Sequence, residues 1–64
     1  MNKIKNLREA TGKTQKEIAS YFNINISTVA KWETGESLPR ADKLPELAKI
    51  LGCTVDELLR DEAS

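Results

Sequence analysis

The sequence predicts an all-α protein, a compact five-helix bundle, and three observations carry that prediction. Apolar residues recur at helical i, i+3 and i+4 spacing in five short segments. Two segments open on a Thr-x-x-Glu capping box, Thr14 with Glu17 and Thr54 with Glu57. Turn residues stand just past four segment ends, at Gly12, Asn23, Gly35 and Gly52. Nothing reads as a strand, and 64 residues leave room for a single domain, residues 1–64.

The first helix is expected over about residues 2–10, with Ile4 and Leu7 inward, Lys3, Lys5 and Glu9 outward, and Gly12 supplying its end. The organising stretch is residues 15–33, QKEIASYFNINISTVAKWE, read as two short helices joined by a tight turn. In the helix over about 15–22, capped by Thr14, Ile18, Ala19 and Phe22 share one apolar face. Ala19 faces the crossing of two steeply inclined helices, where a larger side chain pushes them apart. Asn23 stands where the chain must turn sharply, and asparagine tolerates left-handed backbone better than any residue except glycine. Asn25 then caps a helix over about 26–33, which buries Val29 and Trp32, while Ile24 closes the corner.

After Gly35 the loop is expected to return Leu38 to the core, with Pro39 fixing the chain before the fourth helix. That helix, over about 42–51, lines up Leu44, Leu47, Ala48 and Leu51. Proline is tolerated only in a first turn, so Pro45 places the start near Asp42 or Lys43. A fifth helix over about 55–60 turns Val55, Leu58 and Leu59 inward, and Arg60 to Ser64 form a frayed tail.

Composition excludes several functions. At 39% hydrophobic and 31% charged residues, with no run of about 18 apolar residues and no signal-peptide pattern, the chain is expected in the cytoplasm with no membrane partner. One cysteine and no histidine rule out an intrachain disulfide and a Cys/His metal site. They also leave no nucleophile and base pair, so the expectation is no enzyme activity, no catalytic residues, no metal and no cofactor. Cys53 reads as a small apolar residue just after a helix end, with a redox or intermolecular role as the alternative.

Net charge is zero, but its distribution is uneven. Residues 1–31 carry six Lys or Arg against two Glu, and residues 32–64 carry four against eight acidic residues. A polarised neutral domain can still approach a phosphate backbone by its basic face. Solvated helix faces are the other explanation of the same charges.

From Leu7-Arg8, Thr14-Gln15 and Ile18-Ala19 through Val29-Ala30-Lys31-Trp32-Glu33, Gly35 and Leu38-Pro39 to Leu47-Ala48, Leu51-Gly52 and Val55-Asp56-Glu57-Leu58-Leu59, the chain resembles a known family. It is similar to the phage Cro/CI-type repressors, the XRE family of helix-turn-helix DNA-binding regulators, over nearly its whole length. The resemblance implies a lambda-repressor-like DNA-binding domain whose helices 2 and 3 form the helix-turn-helix. It implies a sequence-specific regulator of transcription, a repressor that occludes a promoter, with double-stranded DNA as partner. It also implies an ion pair between Arg8 and Glu33 that holds the first helix against the end of the third.

In this motif the second helix reads base edges in the major groove and the helix before it crosses the backbone. Mapped by position, the base-facing candidates are Asn25, Ile26, Ser27, Ala30 and Lys31. Ser27 and Lys31 carry hydrogen-bonding groups; Asn25 either bonds a base or only caps its own helix. Ile26 departs from the polar residue the family often has there, and with Ala30 it offers only apolar surface, so shape readout or a modest specificity ratio is expected. The phosphate candidates are Gln15, at a helix N-terminus where the family often uses glutamine, and Lys13, Lys16, Thr28, Ser37 and Arg40. A homodimer on a pseudo-palindromic site is expected, the family resemblance placing the contact at helix 5 and the turn before it, and no small-molecule ligand is expected. The alternative is the same fold as a protein-interaction module, of antitoxin or antirepressor type, with DNA binding weak or secondary.

Overall fold

In a computed structural model of the chain, which describes residues 3–59, helix boundaries follow local backbone chemistry. Five helices succeed one another: α1 (Ile4–Ala10), α2 (Gln15–Phe22), α3 (Ile26–Thr34), α4 (Leu44–Leu51) and α5 (Val55–Leu59). No strand occurs among the described residues. Both capping boxes form. The Glu17 N–H donates to Thr14 Oγ1 at 3.1 Å and the Thr14 N–H donates to Glu17 Oε1 at 2.8 Å. At α5 the Glu57 N–H donates to Thr54 Oγ1 at 3.1 Å, and the return bond is longer, 3.5 Å.

These helices are too short to be stable alone, so burial of one face of each supplies the stability. Ile4 from α1, Ile18 and Ala19 from α2, Val29 and Trp32 from α3, Leu47, Ala48 and Leu51 from α4 and Leu58 from α5 form one cluster. The α2–α3 pairing is the most extensive, α1 packs on α3 and α5, and α4 packs on α5. Cys53 packs against this core as the sequence predicts, half-buried, and burial raises its thiol pKa, with the nearby Glu57 charge adding to the shift. Among the described residues no helix is long and apolar enough to cross a membrane.

The structure corrects several details. Leu38 does not return to the core: it is 64% exposed, and Pro39 is buried in its place. Proline has no N–H, so the loop can sink that residue without leaving a donor unpaired. Leu59 is exposed too, because α5 turns only Val55 and Leu58, three residues apart, toward the core. The fourth helix begins at Leu44 rather than near Asp42 or Lys43. Residues 41–43 form a turn instead, with the Lys43 N–H on the Arg40 carbonyl at 2.8 Å, so Pro45 falls in the first helical turn. Asn25 occupies the N-cap position of α3 with extended backbone, but its side chain makes no capping bond. The first helix begins at Ile4, with Lys3 as its N-cap, rather than at residue 2, and Arg60 with the expected frayed tail to residue 64 lies outside the described residues.

Candidate nucleic-acid interface

The corner between α2 and α3 is set by one backbone conformation. Asn23 has φ 56° and ψ 48°, left-handed as its sequence position requires, and the Ile24 N–H behind it donates to the Ala19 carbonyl at 2.9 Å. Phe22 then stands edge-on to Trp32 of α3, ring centres 5.9 Å apart at 77°, and Lys43 Nζ lies over the Phe22 ring, 6.0 Å from its centre. These contacts fix how α3 is presented.

With Val29 and Trp32 buried, α3 turns its opposite flank outward. Asn25, Ile26, Ser27 and Lys31 are exposed, and Ala30 and Thr28 are half-buried beside them. Ile26 is 46% exposed at the helix start, an apolar group held in water by the register of the helix. Since Asn25 makes no capping bond, its amide is not committed to its own helix. Lys16, Ser37 and Arg40 are exposed as well, and Lys13 is half-buried. A shallow groove of about 320 Å³ at the corner is lined by Lys16 from α2 and by Asn25 and Ile26, so one concavity joins a phosphate candidate to two base candidates.

Behind this surface lies a buried polar cluster. Glu33 is only 5% exposed, and its two oxygens are divided between two donors: Arg8 Nε at 2.5 Å on Oε2 and Gln15 Nε2 at 2.8 Å on Oε1. Arg8 also donates from Nη1 to the Lys13 carbonyl at 2.8 Å. Thus the expected Arg8–Glu33 pair forms, and it ties α1, the α1–α2 loop, the start of α2 and the end of α3 together. Among the described residues no buried side-chain donor or acceptor lacks a partner. Gln15 was expected to face a phosphate, yet one of its two amide hydrogens is used within the protein, leaving the other to point elsewhere.

A helix-turn-helix family model matches residues 4–58, from the first residue of α1 into α5. The chain belongs to this helix-turn-helix family, that of the Cro/CI-type (XRE) regulators. It is 32% identical over 60 residues to the HTH-type transcriptional activator BcrR of Enterococcus faecalis, covering 94% of this chain and 29% of that protein. It is 36% identical over 56 residues to the cryptic phage CTXphi transcriptional repressor RstR of Vibrio cholerae, covering 88% of this chain and 50% of that protein. It is 40% identical over 40 residues to the 26 kDa repressor protein of Escherichia phage HK022, covering 62% of this chain and 17% of that one. The chain spans half or less of the length of these curated relatives. No solved structure matches it significantly.

The first helix also borders a groove beside α3. Lys5 of α1, by its sequence position only an outward-facing residue, lines this groove of about 360 Å³ together with Gln15, Ala30, Glu33 and Thr34. A signal for it existed: Lys5 precedes Arg8 by three positions, so the two share a helix face, and Arg8 was already assigned to Glu33.

Proposed function

We propose that the chain is a sequence-specific double-stranded DNA-binding regulator of transcription, acting in the cytoplasm as a repressor and laying α3 in the major groove. The observation that carries this reading is the division of α3: Val29 and Trp32 are sealed in the core, while Asn25, Ile26, Ser27 and Lys31 stand in solvent on the other flank. A helix so divided fits a groove about 12 Å wide with its N-terminal residues foremost. Ser27 and Lys31 supply hydrogen bonds to base edges, and Ile26 and Ala30 supply apolar contact of the kind a thymine methyl accepts. Lys13, Lys16, Thr28, Ser37, Arg40 and the free N–H of Gln15 are assigned to the phosphates. Two of the three relatives are named repressors and one an activator, which supports regulation by DNA binding and favours repression.

A domain with so small a reading face gains specificity by pairing. We assign it a homodimer whose two α3 helices meet successive major grooves about 34 Å apart, on a pseudo-palindromic site. Binding rather than catalysis is its activity, because the chain has no histidine and a single cysteine from which to build a nucleophile and base pair.

Fluorescence anisotropy against random-sequence duplex, at low and at physiological salt, tests the reading. Binding that weakens steeply with salt is expected. Lys31→Ala should change which sequences a random pool yields, whereas Lys16→Ala should weaken all duplexes alike and flatten the salt dependence. Affinity untouched by both substitutions would mean that another face, or a protein partner, is the target.

A further inference from the structure

We propose that the groove between α1 and α3 seats one sugar–phosphate unit of the duplex, with Lys5 as its cation. The proposal rests on the DNA-binding reading above and extends the interface to a helix outside the helix-turn-helix. The groove encloses about 360 Å³ between Lys5 on one side and Ala30 and Thr34 on the other, with Gln15 and Glu33 completing it. Glu33 does not repel an anion there as a bare carboxylate would. Arg8 neutralises it at 2.5 Å, and the Gln15 amide covers its second oxygen at 2.8 Å.

The same hydrogen bond orients Gln15. Rotating the amide by half a turn would set its carbonyl oxygen against the Glu33 carboxylate, so the nitrogen stays on that side and keeps one N–H to give. Lys5 is exposed, and among the described residues no carboxylate pairs with it. Ala30 lines the groove with only a methyl group, so a longer side chain at that turn of α3 would project into it. A cation, an amide N–H and a methyl wall match the two halves of a backbone unit, phosphate to Lys5 and Gln15 and deoxyribose to Ala30. The unit lies next to Ala30, a base-facing position, so the contact sets the register of α3 along the groove without itself reading sequence.

The test is anisotropy titration of a labelled random-sequence duplex across a salt series with Lys5→Ala, Lys5→Arg and, on the exposed surface of α4, Lys49→Ala, followed by selection from a random pool. Lys5→Ala should bind every duplex more weakly and lower the slope of log affinity against log salt by about 0.9, the share of one phosphate contact. Lys5→Arg should keep the unaltered slope, Lys49→Ala should match the unaltered chain, and the sequences selected by Lys5→Ala should be unchanged. If Lys5→Ala leaves affinity and slope as they were while Lys16→Ala and Lys31→Ala retain their effects, the groove is not a backbone seat and the DNA-binding reading stands. A changed selected sequence with Lys5→Ala would make it a base reader and overturn the assignment. Failure of the unaltered chain to hold any duplex at low salt would remove both readings together.

Discussion

Glu33 is the residue that links α1, α2 and α3 through side-chain bonds, and a carboxylate that deep survives only with its oxygens occupied. A buried ion pair adds little over an apolar pair of the same shape, but removing one partner strands the other and costs roughly 3 to 5 kcal/mol. Arg8→Ala and Glu33→Ala should each destabilise the domain on that scale in urea unfolding. The double variant should cost far less than their sum, and additive effects would mean the contact in the structure contributes nothing. Tyr21 makes a second polar link, its hydroxyl donating to Glu46 of α4 from an exposed position. That carboxylate, and then partial desolvation, raise the phenol pKa above its usual value. A pKa higher in the folded than in the unfolded chain means the stabilisation is complete below the ordinary tyrosine value and lost as pH rises through the raised one. Tyr21→Phe should therefore lower Tm slightly at neutral pH, and the gap to the unaltered chain should close at strongly alkaline pH.

The α2–α3 corner sets how the exposed flank of α3 is presented. Its left-handed residue, Asn23 at φ 56°, sets the angle at which α3 leaves α2. Asn23→Gly keeps that conformation at little cost, whereas Asn23→Val forces a β-branched side chain into it and should cost roughly 1–2 kcal/mol in denaturant unfolding. Equal stability of the two variants would show that the corner is not conformationally demanding. Elsewhere the short elements depend on their neighbours. Pro45 sits in the first turn of α4, reached through a turn at residues 41–43, and the five residues of α5 are held by a capping box and by Leu58 in the core. Element positions were legible because capping boxes and left-handed turn residues act within three or four residues of chain. Their inner faces were less so: Leu38 reads as core, but the loop leaves it exposed and buries Pro39 instead.

For the whole molecule, neutrality conceals a charge separation, with the basic excess in residues 1–31 and the acidic excess in residues 32–64. If residues 1–31 supply the DNA-facing surface, as proposed, approach by that face should neutralise few phosphates and give a modest affinity that declines with salt. Because a ligand that binds only the folded state stabilises it, random duplex at about 100 times its Kd should add about 2.7 kcal/mol to stability. Calorimetry should show Tm rising with duplex concentration at low salt and the rise vanishing at high salt. A Tm indifferent to duplex at both salts would speak for a protein partner instead.

The sequence by itself determined the five helices, the two capping boxes, the left-handed asparagine between α2 and α3, and the inward pairing of Val29 with Trp32, because each depends on residues a few positions apart. It also carried the Arg8–Glu33 pair, through family resemblance. Only the tertiary structure decided that Gln15 shares Glu33 with Arg8 and that Lys5 borders the same groove as Ala30. Those relations join residues distant in the chain, and their geometry exists only once α1, α2 and α3 have packed around a common core.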